Sequence, residues 1–381
     1  MDEKEAQSTG LRLLKKGHKG LLRCIFGRLG LVMVLLLVQM VYLLAVFLWC
    51  EDYMPRVFGG HTIVAVIMVL YLINYRLDPM AKITWLVIII PFPVFGTMLF
   101  LFIQSELGQR TMRGRLKRIR EESQAALVQD AAVMAEFEKV APGPAAMARY
   151  VAKSGCYPVF AGNQVTYFPL GQDKFRQLLI ELEQAEKYIY LEYFIVDEGL
   201  MWGKVLEILA RKAAQGVDVR LMYDGTCEFT LLPRSYPAKL RRLGIQCKVF
   251  SPVTPFVSTH YNYRDHRKIL VIDGHTAFTG GINIQDRYIN REQVYGHWKD
   301  NALMLKGDAA RSFTLMFLQF WNADEKKKEY APYLNQPTPA DPAKGYVIGY
   351  CDSPMDEERV GEMVYLNILN QAKHYVYIMT P

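Results

Sequence analysis

The chain has 381 residues, 51% of them hydrophobic and 22% charged, with a formal net charge of +7. This composition excludes a disordered chain and leaves room for a sizeable core and more than one domain. The net charge is modest for the length, and the basic residues cluster near the N-terminus and just after an apolar region, which points to anionic lipid headgroups before nucleic acid.

Residues 1–28 form a basic segment with Arg12, Lys15, Lys16, Lys19, Arg23 and Arg28. A membrane region, 29–103, is expected to follow with two or three transmembrane helices. LGLVMVLLLVQMVYLLAVFLWC (29–50) is uncharged and long enough to cross a hydrocarbon core, which takes about 20 residues. KITWLVIIIPFPVFGTMLFLFI (82–103) is read as another span, with Pro91 and Pro93 tolerated by neighbouring helices. Between them VFGGHTIVAVIMVLYLIN (57–74) either crosses or stops partway. A second basic cluster, Arg110, Arg113, Arg115, Lys117, Arg118 and Arg120, lies beyond the last segment. The positive-inside tendency therefore puts the C-terminal bulk in the cytoplasm.

Residues 104–146 read as a linker helix leaving the bilayer, punctuated by APGPAA (141–146), where the domain boundary is expected. Beyond it strand and helix alternate: YIYLEYFIV (188–196), GKVLEILARKAAQ (203–215), VDVRLMYD (217–224), YPAKLRRLG (236–244) and IQCKVF (245–250). That order calls for a right-handed crossover and an α/β domain, a mixed sheet flanked by helices, over 147–358. The six cysteines (Cys24, Cys50, Cys156, Cys227, Cys247, Cys351) contain no CxxC pair, which argues against zinc and against a disulfide framework.

The chemistry concentrates in RDHRKILVIDGHTAFTGGIN (264–283). At strand period two, His266, Lys268, Leu270 and Ile272 share a face, so the imidazole and the ammonium converge on one anionic group. A histidine nucleophile beside a lysine donor suits a phosphoryl centre. Asp273 has the opposite parity and is expected to hold the turn through local backbone amides. Gly280 and Gly281 let backbone approach a ligand closely, and Asn283 offers an amide donor, which together read as a phosphate pocket. His260, His275 and His297 read as non-catalytic, and Phe256, Tyr261 and Tyr263 as an acyl or headgroup entrance or as loop packing.

The pattern HxKxxxxD followed by GGxN, carried by His266, Lys268, Asp273, Gly280, Gly281 and Asn283, resembles the phospholipase D superfamily motif. Together with the apolar N-terminus, YPVFAGNQVTYFPLGQDKF (157–175), LEYFIVDEGLMW (191–202), RLMYDG (220–225), GHWKDNALMLKG (296–307) and FTLMFLQFWN (313–322), it is similar to the bacterial cardiolipin synthases over essentially the whole chain. The resemblance implies phosphatidyl transfer between two phosphatidylglycerol molecules at a bacterial cell membrane, without metal or other cofactor. It implies that His266 forms a phosphohistidine, that Lys268 binds phosphate oxygens, that Asp273 belongs to the catalytic motif, and that Asp300 orients the imidazole. Glu192 is either a pocket group or a sheet residue bonded to backbone. Phosphatidylglycerol and other anionic phospholipids are the implied partners, and nucleic acid is not expected.

Relatives supply a second histidine from a second copy of the motif, to protonate the leaving alcohol. Here QAEKYIYLEYF (184–194) and QAKHYVYIMTP (371–381) match at their start, so a second repeat is expected over 359–381, truncated after its first strand. Three readings compete: a partial synthase complemented by a second-motif half, a self-associating single-motif nuclease or phosphodiesterase, and a non-catalytic membrane partner of a complete synthase.

Overall fold

The computed structural model describes residues 37–42, 45, 54–75, 77–104, 114, 117–155, 157–252, 264–325, 327–336, 343–352 and 358–379. The chain divides into two compact units, one holding residues 18–110 and 254–262 and the other the rest. Most of 29–50 lies outside the described residues, as do His260, Phe256, Tyr261 and Tyr263; residues 37–42 and 45 are helical.

In the smaller unit, α1 (Met54–Asn74), α2 (Pro79–Ile89) and α3 (Pro93–Gln104) pack around Met68, Leu72, Ile89 and Phe100. Asp78 caps α2, its carboxylate accepting from the Met80 amide at 2.9 Å. The segment 82–103, expected to cross a membrane as one helix, is instead two helices broken at Ile90–Phe92. The physical reason lies in its prolines: each lacks an N–H, which interrupts the helical hydrogen-bond ladder even though Ile90 itself keeps helical φ and ψ of -62° and -48°. At 11 and 12 residues, α2 and α3 are each only about 17 Å long. Gly96 makes the return possible, since a Cβ there would sit 2.8 Å from the Ile89 Cα. Among the described residues no helix is long and apolar enough to cross a membrane.

In the larger unit, helical residues 117–126 precede α4 (Ala131–Val140) and α5 (Pro142–Gly155). The proline-glycine punctuation at 141–146 is thus the first turn of a helix, where a missing N–H costs nothing. Both helices belong to the unit's own core, Phe137, Ala145, Ala148 and Val159 packing with Tyr346 and Ile348. Two short strands, β1 (Phe160–Ala161) and a late one at Tyr346–Val347, pair beside them.

The main sheet has seven strands: β2 (Gln164–Phe168), β3 (Tyr188–Tyr193), β4 (Asp218–Asp224), β5 (Gln246–Phe250), β6 (Lys268–Ile272), β7 (Thr276–Gly280) and β8 (Ala302–Lys306). Their spatial order is β2-β8-β7-β6-β3-β4-β5. β3, β4 and β5 run parallel, and the other pairings are antiparallel, so the sheet is mixed as expected. α6 (Gly171–Glu183), α7 (Leu200–Ala214) and Tyr236–Arg242 cover one face, burying Ile189, Leu191, Tyr193, Leu270 and Ile272. On the other face Tyr188, Tyr190, Ile269 and Val271 pack under Ala310–Trp321. Period-two alternation inside β3 and β6 thus sorts each strand between two cores.

Of the expected second repeat, the helix forms at Val360–Gln371, but residues 372–379 pair with no strand among the described residues. A strand needs a neighbour for its amides, and Tyr375 and Tyr377 instead stack on each other at 4.9 Å.

Candidate active site

β3 is where the sheet changes its direction of growth: β4 and β5 extend it one way, β6, β7, β8 and β2 the other. Such a switch point leaves a crevice beyond the carboxyl ends of the parallel strands, the place where open α/β sheets bind ligands. The register sets Tyr193, the last residue of β3, opposite Lys268, the first of β6. His266 therefore stands just beyond the carboxyl end of β3, exposed, its ring 4.8 Å from that of Phe194. Lys268 is buried behind it, donating to the His266 carbonyl at 2.6 Å, with its ammonium 5.4 Å from the centre of the Phe194 ring. The parity argument from sequence holds: Lys268 lies on the face of Leu270 and Ile272.

Partial burial and the Lys268 ammonium hold His266 below the usual imidazole range, which favours the neutral, nucleophilic ring at pH 7. Burial pushes Lys268 down to about 8, against the attraction of Asp265 and Asp300. The lysine is thus still mostly charged at neutral pH, and with three donors it keeps capacity for an anion beyond its bond to His266.

Asp224 ends β4 and anchors the segment that carries His266. Buried, it accepts from the Asp265 amide at 3.0 Å and the Thr226 amide at 2.8 Å, and pairs with Arg264 at 3.5 Å. Asp265 and Asp224 are the carboxylates whose charge reaches His266. Asp300, expected to orient the imidazole, instead acts on Lys268 and Lys174. Gly281 makes room for it, because a Cβ there would lie 2.1 Å from an Asp300 carboxylate oxygen. Gly280 is required for its own reason: its φ is 141°, and a Cβ would meet the Asn301 carbonyl at 2.5 Å.

Three expected site residues are placed elsewhere. Asp273 sits at the far end of β6, five residues or about 16 Å along the strand from Lys268. Its carboxylate accepts from the amides of Glu186, Lys187 and Tyr188, each at 2.8 Å, tying the hairpin to the start of β3 rather than to its own turn. Asn283 is buried and bridges inward, its oxygen accepting from the Ile195 amide at 3.0 Å and its amide donating to the Tyr288 hydroxyl at 2.8 Å. Glu192 has the parity of Tyr188 and Tyr190, so it lies on the opposite face, ion-paired with Arg267. Arg267 also reaches Asp265 at 3.2 Å and lies 3.6 Å from the centre of the Phe320 ring. Burial there pushes the Glu192 carboxyl well up, with Arg267 opposing and Asp265 adding to the rise.

Sequence reasoning missed Asp224, Phe194 and Lys174. For the first two a signal existed, since both stand at the carboxyl ends of parallel strands, where a crevice was foreseeable.

A family model described as "Cardiolipin synthase, PLD-like domain" matches residues 178–321, which contain the switch point and the whole HxKxxxxD and GGxN constellation. An uncharacterized protein of Streptococcus mutans serotype c is 50% identical over 313 residues, 82% of this chain and 68% of that protein. Cardiolipin synthases of Geobacillus thermodenitrificans and Geobacillus kaustophilus are 32% and 31% identical over 80% and 84% of this chain. Residues 178–321 thus form a domain of the phospholipase D-like kind that the family model describes. The chain spans 61% and 64% of the length of those two synthases. Among solved structures, the phospholipase D family member Nuc from Salmonella typhimurium covers 45% of this chain and 100% of its own, at a TM-score of 0.32 and 19% identity. The exposed His266 imidazole and the buried Lys268 behind it both lie within the matched segment.

Proposed function

We propose that this chain carries the nucleophilic part of a phosphatidyltransferase site, acting on phosphatidylglycerol to give cardiolipin and glycerol. A nitrogen of the neutral His266 ring attacks the phosphorus of one phosphatidylglycerol. The P–O bond to the glycerol headgroup breaks, the glycerol oxygen takes a proton, and the phosphatidyl group stays on His266 as a phosphohistidine. A hydroxyl of a second phosphatidylglycerol then attacks the same phosphorus and gives up its proton, and the P–N bond breaks to restore the imidazole. Lys268 stabilises the charge that builds on the non-bridging oxygens, where a fixed cation acts most strongly. The proton for the departing glycerol needs a separate acid, because His266 is engaged as nucleophile. HxKxxxxD occurs once in these 381 residues, so we assign that acid to a second motif, from a further segment or from another copy.

The observation that carries this reading is the shared face of exposed His266 and buried Lys268 at the sheet's switch point. We also place α1, α2 and α3 in a bacterial cell membrane, because Ile63, Ile67, Leu70, Met80, Val87 and Met98 turn large apolar side chains outward.

The test is to quench the full chain with phosphatidylglycerol vesicles and map the adduct by peptide mass spectrometry. A phosphatidyl group on His266, missing from His266→Ala, is the expected result. The same adduct on another side chain overturns the assignment.

A further inference from the structure

One buried cation near the site has no role in the chemistry above. Lys174, in the first turn of α6, is 1% exposed. Its ammonium donates to the Ile282 carbonyl at 3.1 Å and to the Tyr193 hydroxyl at 3.3 Å, and lies 5.1 Å from the centre of the Tyr193 ring. Ile282 belongs to the turn joining Gly281 to Asn283, and Tyr193 is the cross-strand partner of Lys268. Lys174 therefore ties the backbone of the Gly281–Asn283 turn to the Tyr193 side chain at the end of β3. The helix that brings it there is pressed close, since a Cβ on Gly171 would lie 1.9 Å from the Tyr288 carbonyl.

A buried ammonium is an expensive way to tie down one carbonyl. Isolated charges are seldom kept out of water unless a partner charge repays them. The charges that reach Lys174 are Asp300, which favours its charged form, and Lys268, which opposes it. The other charged groups around α6 are engaged elsewhere: Asp173 with Arg176, Glu183 with Arg211, Glu181 with Lys306, and Asp286 with the Leu200 and Met201 amides. The two lysines thus share the attraction of Asp300, with Asp265 also reaching Lys268, and burial still lowers both, a deficit that a bound anion relieves.

We infer that Lys174 is a positioning residue for the anion in the crevice, fixing the Gly281–Asn283 turn and adding a second positive charge beneath the phosphate without touching it. This rests on the crevice being a phosphate site, as proposed above. Burial pushes Lys174 down to about 7, so this second charge is itself sensitive to pH near neutrality.

The test uses the full chain and sulfate, whose charge is constant between pH 6 and 9, with affinity measured by calorimetry. Lys174→Met and Lys174→Arg are compared with the unaltered chain, and Lys268→Met is the control for the site. The unaltered chain is expected to lose affinity as pH rises through about 7, when Lys174 discharges, and again through about 8, when Lys268 does. Lys174→Met binds roughly tenfold more weakly at pH 6 and shows only the upper step. Lys174→Arg, charged throughout, keeps the affinity and also loses the lower step, so it serves where the methionine variant does not fold. A lower step that persists in either variant, or equal affinity in a folded Lys174→Met, overturns the inference. If Lys268→Met binds sulfate like the unaltered chain, the phosphate-site reading fails instead.

Discussion

Replacing Asp273 separates a structural from a chemical reading of the HxKxxxxD motif. Its carboxylate accepts three backbone N–H bonds, from Glu186, Lys187 and Tyr188, all at 2.8 Å. Hydrogen bonds to an ionised acceptor contribute about 1.5 kcal/mol or more each, so deleting the side chain removes about 4 to 5 kcal/mol and strands the buried Tyr188 amide. Asp273→Asn is the cleaner perturbation. Asp273 has a φ of 51°, in the left-handed region that asparagine accepts better than alanine does. The amide oxygen still serves Lys187 and Tyr188, while the new NH2 group confronts the Glu186 amide, donor against donor. A loss of about 2 to 3 kcal/mol follows, a large share of a typical 5 to 15 kcal/mol domain stability. Thermal unfolding of the full chain is the assay, with sulfate affinity measured well below the melt. The expected result is a lower melting temperature and unchanged affinity at Lys268. If Asp273→Asn melts like the unaltered chain yet forms no adduct on His266, the carboxylate reacts directly and the structural reasoning fails.

The remaining expectations concern the crevice and the network behind it. Because burial pushes Lys268 down to about 8, it is charged below that pH, so sulfate affinity weakens as pH rises through about 8; calorimetry giving a rise instead contradicts the assignment. Gly281→Ala puts a methyl 2.1 Å from an Asp300 oxygen, an overlap costing about 1 to 3 kcal/mol. Displacing Asp300 withdraws one of the two carboxylates that raise Lys268, the other being Asp265, so the pH step in sulfate binding moves down, and an unmoved step refutes the coupling. Arg267→Met leaves Glu192 and Asp265 without their shared cation and costs about 3 to 5 kcal/mol in a denaturant melt. Glu192→Gln keeps the shape of a carboxyl already pushed toward neutrality, so the adduct on His266 forms as before; its loss brings Glu192 back into the chemistry.

Much of the larger unit was legible, because its elements are written in local periodicity. The helix read at 203–215 forms at Leu200–Ala214, and the strand read at 217–224 forms at Asp218–Asp224. Parity alone put His266 and Lys268 on one face. The roles that escaped depend on partners far along the chain. Asp273 binds amides 85 to 87 residues away, and Asn283 binds one 88 residues away. Neither separation leaves a trace in local pattern. Glu192 escaped for a related reason: its face is fixed only once Tyr193 is known to oppose Lys268, and register is a property of the pair. In the smaller unit the prolines at 91 and 93 were weighed as tolerated interruptions of one helix, whereas close packing between α2 and α3 makes a reversal possible.

The two faces of β6 divide the charges that surround the motif. In front, beside His266, Lys268 and Lys174 share Asp300, with Asp265 reaching Lys268 as well, and burial still lowers both lysines. Arg267, between His266 and Lys268 in sequence, turns to the other face and meets Glu192 and Asp265, where carboxylates exceed cations. The two sides of the strand have different consequences. Behind the sheet, excess acid is absorbed by raising Glu192 toward its neutral form, which no ligand can enter to relieve. In front, neither lysine is fully neutralised at pH 7, and His266 is exposed. If the proposed function holds, an anion entering there removes an electrostatic strain already present in the fold, so part of the binding energy for a phosphodiester is set before substrate arrives. On that reading, preorganisation leaves the exposed His266 imidazole, held below its usual range, free to be aimed at phosphorus instead of being spent on holding charge.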